Sequence, residues 1–327
     1  MLPIQIKAIT VDESDDDRLA IRTVDLVPAK PGEITIRVTA ISLNRGETRR
    51  ALTTSVTGTR PGWDFTGIVE DTNGVEGAPL AGTRVVGLLV IGSWCERLHV
   101  PLSSISVIPE GITDAQAACL PLAGLTALHA LRKGGFLLGK KVLINGASGG
   151  VGQMAIQLAA SAGALVYSHI RQASQKKLVE EWSTGAVVIG ESLDAAKQHG
   201  PFDFILDSLG GSALTAALGM LKKNGTCITI GASESSSVTF DSNVLFFSSP
   251  GASLQSMVVF DEIAATGSMS DDLAILMGLV KKGRLKINIG AEEAWTEIST
   301  VAKALIERKF NGKAVLHLPK ATYCPDL

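Results

Sequence analysis

The stretch KVLINGASGGVG, residues 141–152, joins a short apolar run to a loop that contains four glycines. An apolar strand, a glycine-rich loop and a helix that begins at once form the phosphate-binding turn of a Rossmann fold. Gly149 leaves room for a pyrophosphate to approach the backbone, and Gly152 lets the helix pack closely on the strand. The free N–H groups and the dipole at the start of the helix would then hold the phosphates. The stretch therefore predicts a dinucleotide-binding loop, rather than a flexible turn, formed by Ala147, Ser148, Gly149, Gly150, Val151 and Gly152.

The sequence on either side of this loop alternates between apolar strands and helices. The pattern predicts strands at residues 142–145, 165–170, 186–189, 202–207 and 226–230. It predicts helices at residues 151–162, 174–182, 212–222, 271–282 and 295–309, and a last strand at 313–318. Apolar strands that alternate with helices indicate a parallel sheet covered on both faces, and hence an α/β fold.

The first third of the chain shows the period of β structure instead. Residues 4–9, 34–38 and 94–100 alternate between apolar and polar, with glycine and proline between the segments. This spacing predicts a barrel-like β domain. The acidic run at residues 12–17 is interpreted as a solvated hairpin loop. Thr113 is predicted to cap a helix, and a second helix is predicted at residues 122–133.

Length and composition restrict the class of protein. A chain of 327 residues with 46% hydrophobic and 19% charged residues fits a globular protein of two domains. The net charge of −2 gives no basic field to attract nucleic acid or an anionic membrane. The first residues lack the pattern of a signal peptide, and no apolar run has membrane-spanning length, so a cytoplasmic location is predicted.

The four cysteines are predicted to be isolated thiols. They lie far apart and form no CxxC pair, which disfavours a disulfide framework and a cysteine-rich zinc site. They are Cys95, Cys119, Cys227 and Cys324.

Arg171 suggests which dinucleotide binds. It directly follows the predicted strand at residues 165–170, where NAD-binding proteins place a carboxylate for the ribose hydroxyls. A guanidinium cannot accept those hydrogen bonds but can pair with a 2′-phosphate. NADPH is therefore favoured over NADH, and the alternative is that Arg171 is an ordinary surface arginine. Side chains that could assist are Ser168, Gln172 and Lys176 or Lys177.

Six motifs occur in a familiar order along nearly the whole chain. They lie at residues 41–47, 60–69, 120–127, 145–152, 202–211 and 311–316. In order and spacing the chain resembles the medium-chain dehydrogenases/reductases, and within them the zinc-free quinone oxidoreductase branch. The resemblance implies a GroES-like β-barrel catalytic domain, residues 1–120 and 260–327, around a Rossmann domain with a doubly wound parallel sheet, residues 121–259. It also implies a homodimer, for which the apolar segment at residues 253–260 lies near the expected sheet edge.

The resemblance also places the three positions at which zinc-containing relatives bind their catalytic metal. Asn44, Trp63 and Leu122 stand there, and none of them is an ordinary zinc ligand. The four-cysteine structural lobe is absent, and no two of the five histidines have metal spacing. No metal is therefore predicted. Hydride transfer without a Lewis acid favours acceptors that are already electrophilic, namely quinones and α,β-unsaturated carbonyls.

The same resemblance implies roles for residues of the site. Asn44 would lie beside the nicotinamide ribose and the substrate, and Thr126 near the nicotinamide, which makes both catalytic candidates. Gly231 and Ala232 would lie against the cofactor, while Trp63 and Phe247 would line the substrate pocket. The alternatives are that Asn44 caps a loop, that Phe247 and its neighbour Phe246 pack in a core or interface, and that Trp63 only fills space.

Arg49 stands at a position where many quinone reductases carry a tyrosine. The exchange removes a phenol donor and introduces a cation, which questions a simple quinone substrate. Arg49 or Arg50 would contact a substrate that bears a carboxylate or phosphate, or would only face solvent. The predicted function is an NADPH-dependent reductase of a quinone or enone. The alternatives are an enoyl reductase for a carrier-bound intermediate and a non-catalytic NADPH-binding module.

Overall fold

The computed structural model describes residues 4–319 and divides the chain into two compact units. Unit 1 comprises the chain up to Leu122, Gly267–Lys282 and the chain from Ile289 onward. Unit 2 comprises Ala123–Thr266 and Gly283–Asn288. Unit 1 holds a mixed, mainly antiparallel sheet and unit 2 a parallel sheet, which confirms the predicted α/β class.

The elements follow one another along the chain as two sets. The strands are β1 (Ile4–Val11), β2 (Leu19–Leu26), β3 (Glu33–Leu43), β4 (Asp64–Asp71), β5 (Arg84–Leu88), β6 (Arg97–Pro101), β7 (Ile105–Val107), β8 (Lys141–Asn145), β9 (Leu165–Ile170), β10 (Ala186–Ile189), β11 (Phe202–Asp207), β12 (Leu221–Thr229), β13 (Ser253–Ser256), β14 (Ile289–Ala294) and β15 (Lys313–His317). The α-helices are α1 (Arg45–Thr53), α2 (Asp114–Ala118), α3 (Pro121–Lys133), α4 (Gly150–Ser161), α5 (Gly211–Leu218), α6 (Val259–Thr266), α7 (Met269–Lys281) and α8 (Ile298–Ile306).

The sheet of unit 1 is built around β3. The strand order is β14-β15-β3-β4-β5-β7, and β6 pairs with the first half of β3. β3 is long and buried along most of its length, because residues of both of its faces pack against other parts of the unit. The largest fully buried side chains nearby are Trp94 and Phe65. β1 and β2 form a separate antiparallel hairpin, and the acidic run lies in its loop as predicted, with Asp17 paired to Lys303 of α8.

The sheet of unit 2 is parallel throughout. Its order is β10-β9-β8-β11-β12-β13, so that β8, the first strand of the sheet in the sequence, lies at its centre. This is the Rossmann strand order, which reverses between β8 and β11. Ligands of such sheets bind outside the carboxyl ends of the strands at that reversal. The carboxyl ends of β8 and β11 are Asn145 and Asp207.

Several predicted boundaries hold and others are wrong. Thr113 caps α2, since its Oγ1 accepts a hydrogen bond of 3.1 Å from the Gln116 N–H. The segment at residues 174–182 forms only a 3₁₀ helix, Ala173–Leu178. The predicted helix at 212–222 ends at Leu218, because β12 already begins at Leu221. The strand expected over residues 253–260 stops at Ser256, and α6 follows, with Asp261 and Glu262 in its first turn, where acidic side chains favour a helix.

The thiols of the described residues are buried and free. They belong to Cys95, Cys119 and Cys227, whereas Cys324 lies outside the described residues. Burial raises the pKa of Cys119 to about 12 and also raises that of Cys227, so neither is a thiolate at neutral pH. Within residues 4–319 no single helix is long and apolar enough to cross a membrane; α6 and α7 reach that length and composition only when taken together.

Candidate active site

Unit 1 contains a buried polar cluster where three strands and a helix meet. Asn44 follows the end of β3 and precedes α1, where asparagine is a favoured N-cap. β3 pairs in antiparallel fashion with both β4 and β15, so its end lies beside the starts of those two strands. The residues brought together, called here the Asn44 cluster, are Asn44, Glu47 of α1, Asp64 at the start of β4 and Lys313 at the start of β15.

The hydrogen bonds of the cluster fix the orientation of the Asn44 amide. Its Nδ2 donates to Glu47 Oε1 at 2.9 Å and to Asp64 Oδ2 at 2.8 Å. Its Oδ1 accepts from Lys313 Nζ at 2.5 Å. An ammonium group can only donate, so Oδ1 must face Lys313 and Nδ2 the carboxyl groups. Both amide hydrogens are thus in use, and Asn44 can accept a hydrogen bond from a ligand but has no hydrogen left to donate.

The cluster encloses an ion pair away from water. Lys313 Nζ lies 3.4 Å from Asp64 Oδ2, and the two side chains are 5% and 0% exposed. The Leu122 N–H donates to Asp64 Oδ1 at 2.9 Å. Burial raises the pKa of Asp64, against the opposing effects of the Lys313 charge and the Asn44 hydrogen bond. Burial and the Asp64 charge together raise the pKa of Glu47 well above its usual range.

Sequence reasoning found Asn44 but missed its three partners. An Asn followed three residues later by Glu is the signature of a capping box, and the Asn44 N–H does donate to Glu47 Oε1 at 3.0 Å. That signal would have found both Glu47 and α1. Asp64 directly follows Trp63, and Lys313 lies in the motif at residues 311–316, but no local pattern shows that they meet.

Trp63 packs against the start of α1. A Cβ atom added at Gly46 would lie 3.1 Å from Cη2 of the indole ring. The guanidinium of Arg50 lies 5.0 Å from the ring centroid, in a cation–π contact. Arg50 therefore covers the ring rather than only facing solvent, while Arg49 is half-buried on the same helix.

The glycine loop of unit 2 has the strand–loop–helix arrangement that the sequence predicts. β8 ends at Asn145, and α4 begins at Gly150 with Gly149 as its N-cap. A Cβ atom at Gly152 would overlap the Gly146 carbonyl oxygen and come within 2.7 Å of Ala147 Cα. A Cβ atom at Gly149 would meet only that carbonyl oxygen, at 3.4 Å. Gly152 is thus required by the packing of the loop, whereas Gly149 leaves open space that the fold does not use.

A buried chain of hydrogen bonds lies beside this loop, at the carboxyl ends of β8, β9 and β11. Asn145 Nδ2 donates to Asp207 Oδ1 at 2.6 Å, and Asn145 Oδ1 lies 2.8 Å from His169 Nδ1. His169 Nε2 lies 2.9 Å from the Gly190 carbonyl oxygen. Burial lowers the pKa of His169 and raises that of Asp207, so each is driven towards its neutral form. These contacts join the three strands from which the loop and Arg171 project.

The other predicted cofactor residues of unit 2 differ in exposure. Ser168 is fully buried and accepts a hydrogen bond of 2.7 Å from Ser183 Oγ. Arg171 is exposed at the end of β9. Lys176 is exposed, with Nζ 3.9 Å from Glu180 Oε2.

The remaining predicted residues of unit 2 lie on three segments. Thr126 is 7% exposed on α3, and Gly231 and Ala232 are exposed after β12. Phe246 and Phe247, in the π-helical turn Val244–Ser248, are 70% and 81% exposed, so the interpretation that they pack in a core is wrong.

The side chains at the expected zinc positions do not fit zinc. The Asn44 amide is held by its three partners, and the side chains of Trp63 and Leu122 offer no ordinary zinc donor. Nor does the described part of the chain contain any group of three or more His, Cys, Asp or Glu residues that could hold a metal ion.

Comparison with known proteins assigns part of the chain to a family. Residues 150–270 match the family described as zinc-binding dehydrogenase, a range that excludes the three zinc positions. The chain is 30% identical over 328 residues to a mycocerosic acid synthase-like polyketide synthase of Mycobacterium tuberculosis. That alignment covers 94% of this chain but only 15% of the relative.

Solved structures share the fold over nearly the whole chain. The CurK enoyl reductase has a TM-score of 0.84 at 22% identity, covering 97% of this chain and 100% of its own. A quinone oxidoreductase from Coxiella burnetii has a TM-score of 0.80 at 22% identity, with the same coverage. Mycobacterial Rv1454c, solved in complex with NADPH, has a TM-score of 0.82 at 23% identity, covering 95% of this chain and 99% of its own.

The motifs, the fold and these comparisons together identify the class of protein. Residues 150–270 belong to the zinc-binding dehydrogenase family, and this match confirms the resemblance to the medium-chain dehydrogenases/reductases found in the sequence. Nearly the whole chain shares the fold of the solved structures. Membership of the zinc-free branch is a proposal.

Proposed function

We propose that this chain is an NADPH-dependent, zinc-independent oxidoreductase that reduces a quinone or an α,β-unsaturated carbonyl compound. The observation that carries the proposal is the Asn44 cluster, in which an amide is held by two carboxyl groups and an ammonium group. By the resemblance, Asn44 stands where zinc-containing relatives carry a metal ligand. When bound, the dihydronicotinamide supplies a hydride, and acceptors that are already electrophilic need no Lewis acid to take it.

The residues that would hold the cofactor lie on unit 2. The N–H groups at the start of α4 would bind the pyrophosphate, and Gly149 would leave it room. Arg171, assisted by Lys176, would pair with the 2′-phosphate. The further residues proposed to line the cofactor site are Ala147, Ser148, Gly150, Val151, Gly152, Ser168, Gly231, Ala232 and Thr126. The NADPH complex of Rv1454c, a protein of the same fold, supports a nicotinamide dinucleotide at this site.

Asn44 is proposed to act as a hydrogen-bond acceptor. Because Lys313 takes only one lone pair of Oδ1, the other can accept from a hydroxyl or amide N–H of a bound ligand. Asn44 cannot stabilise a developing oxyanion without giving up a buried carboxyl partner. The negative oxygen formed in the reaction must therefore receive its hydrogen bond and its proton from another donor or from water.

A specific observation supports a carrier-bound enoyl substrate as the second candidate. The chain matches a segment that makes up 15% of a polyketide synthase, and its fold matches that of the CurK enoyl reductase. Arg49 adds a cation to α1, near Arg50 and Trp63, which would suit an acidic group on such a substrate. The proposed substrate residues are Arg49 and Trp63 on unit 1 and Phe247 on unit 2. The non-catalytic module, the homodimer through the exposed edge strand β13 and the cytoplasmic location stay proposals.

The substrate class is tested by the loss of NADPH absorbance with three acceptors: a quinone, a 2-enoyl thioester and a saturated aldehyde. We expect turnover with the quinone or the thioester and none with the aldehyde. A preference for the thioester would select the enoyl reductase. Binding of NADPH without turnover of any of the three acceptors would contradict the proposed reductase.

The cofactor preference is tested by Arg171→Asp. Exchanging the cation for a carboxylate should repel a 2′-phosphate and accept the ribose hydroxyls of NADH. We expect the ratio of kcat/KM for NADPH over NADH to fall at least about 100-fold, which corresponds to about 2.7 kcal/mol. Lys223→Asp, which changes the charge equally at an exposed position near the start of β12, is the matched control and should change the ratio far less. An unchanged ratio in Arg171→Asp would show that Arg171 does not select the cofactor.

A further inference from the structure

In the Asn44 cluster, only one of the two carboxyl oxygens of Glu47 accepts hydrogen bonds from described residues. Its Oε1 accepts from the Asn44 N–H at 3.0 Å and from Asn44 Nδ2 at 2.9 Å. Its Oε2 is buried and has no hydrogen-bond partner among the described residues. The Glu47 residue is 4% exposed and Oε2 itself is buried, so this oxygen does not face bulk solvent. A charged carboxylate oxygen in such a place is costly, whereas a protonated one is far less so.

The charges of the cluster also favour a protonated Glu47. One ammonium group faces two carboxyl groups, and Asp64 is the one that contacts it, 3.4 Å from Lys313 Nζ. The other hydrogen bonds of Lys313 go to Asn44 Oδ1 and to the Leu43 carbonyl oxygen, at 2.5 and 3.2 Å. Two ionised carboxylates would leave a net negative charge enclosed in the protein, which costs several kcal/mol. With Glu47 neutral, the ion pair of Lys313 and Asp64 balances the cluster.

We propose that Glu47 is a positioning residue that carries a proton on Oε2 and, in this neutral form, holds the Asn44 amide in its accepting orientation. This inference rests on the proposed function, because the accepting orientation of Asn44 serves to bind a ligand of the proposed reductase. If Glu47 ionises, a second negative charge competes with Asp64 for the Asn44 amide hydrogens and draws Lys313 away from Asn44 Oδ1. Asn44 then loses the arrangement in which one lone pair is free for a ligand.

The groups that face Glu47 favour its protonated, neutral form. Burial and the charge of Asp64 on β4 raise the pKa of Glu47, and the Asn44 hydrogen bonds and Lys313 on β15 oppose this rise without cancelling it. Cys119 follows α2, and the charges of Lys313 and Asp64 also act on its pKa. Burial is the largest effect and raises that pKa to about 12, so Cys119 stays a neutral thiol. The surroundings of Glu47 thus favour its neutral form.

Stability gives a test that needs no substrate. The folded protein keeps a proton on Glu47 that the unfolded chain releases above the ordinary glutamate pKa. This contribution to stability is therefore fully present below that pKa and is lost as the pH rises through the raised pKa of the folded state. Glu47→Gln mimics the neutral acid at every pH, so its urea midpoint relative to the wild type should increase steadily with pH from mildly acid to alkaline solution. A difference that is constant across this range would overturn the proposal.

Infrared spectroscopy tests the proton itself. In protein labelled with ¹³C-glutamate, the wild type should show the carbonyl band of a protonated, buried carboxylic acid at neutral pH, and Glu47→Gln should lack it. Asp64→Asn removes the counter-charge of Lys313, so Glu47 should ionise in its place and the acid band should disappear. Identical wild-type and Glu47→Gln spectra, or an acid band that persists in Asp64→Asn, would overturn the proposal.

Positioning is tested on the Asn44 side chain and on the reaction. The side-chain NH₂ resonances of Asn44 should shift in the wild type at the pH where the acid band vanishes, and should stay constant in Glu47→Gln. At alkaline pH, kcat/KM should fall about ten-fold per pH unit in the wild type but stay level in Glu47→Gln. Resonances that shift equally in both proteins would overturn the positioning role. Because the resonances need no turnover, failure of this inference is distinguishable from failure of the proposed reductase.

Discussion

Replacing Gly152 with alanine is expected to abolish dinucleotide binding and to destabilise unit 2. The added Cβ would overlap the Gly146 carbonyl oxygen and approach Ala147 Cα to 2.7 Å, and both are backbone atoms that cannot turn aside as a flexible side chain would. Overpacking of this kind costs about 1–3 kcal/mol. It also forces the loop away from α4, so the N–H groups at the start of the helix no longer converge on one point. Isothermal titration with NADPH and urea unfolding measure the two effects.

Gly149→Ala separates binding from folding in the same loop. Gly149 has φ of −76° and ψ of 168°, which alanine adopts without strain, and the nearest atom to a new Cβ lies at 3.4 Å. Because alanine is a poorer N-cap than glycine, we expect a loss of stability of at most about 1 kcal/mol. The methyl group takes up the proposed phosphate space, so NADPH affinity should fall at least about ten-fold, or about 1.4 kcal/mol.

Gly278→Ala is the matched control for both glycine variants. Gly278 lies in α7, and a Cβ there would meet no atom within 4 Å. The exchange should leave NADPH affinity unchanged and stabilise the helix by up to about 1 kcal/mol. Wild-type affinity in Gly149→Ala would contradict the proposed position of the pyrophosphate.

Replacing Lys313 with methionine is expected to cause the second large effect, a loss of about 3–5 kcal/mol of folding stability. Methionine has nearly the length of lysine but no charge. Its introduction leaves the Asp64 carboxylate, which is 0% exposed, without its cation, and leaves Asn44 Oδ1 without its donor. The free energy of unfolding in urea measures the loss.

Two controls decide whether the buried charge is the cause. The double variant Asp64→Asn/Lys313→Met removes both charges and should recover much of the stability lost in the single variant. Lys197→Met breaks the exposed pair with Asp194, whose side chains are 64% and 57% exposed, and should change stability little. A double variant as unstable as Lys313→Met would show that the ammonium acts through packing instead of charge.

The parallel sheet was the most predictable part of the fold. The bounds of β9, β10 and β11 agree with those read from the sequence, because each is a short, mainly apolar run set off by glycine, proline or polar residues. α1 was missed because its sequence, RGETRRALT, is polar on most sides and has no apolar period. It is held by its capping box, a local signal that the sequence reading overlooked, and by the packing of Trp63, which depends on tertiary structure.

The candidate site was only half predictable for the same reason. The glycine loop is local in sequence, so one stretch showed its strand, loop and helix together. The Asn44 cluster joins residues 44, 47, 64 and 313, and only the antiparallel register of β3 with β4 and β15 brings them together. Asn44 was expected beside a ligand, but the loss of its donor capacity could not be predicted without knowing its partners.

The most direct test of a zinc-free hydride transfer follows deuterium from the cofactor to the product. The protein is dialysed against a metal chelator and supplied with NADPH deuterated at the transferable C4 position and with a 2-enoyl thioester. If the thioester is a substrate, the account predicts undiminished turnover and a saturated thioester that carries deuterium at its β-carbon. If only the quinone is reduced, it replaces the thioester and undiminished turnover is the predicted result. Activity that disappears with the chelator and returns with zinc, or a product without deuterium, would contradict it.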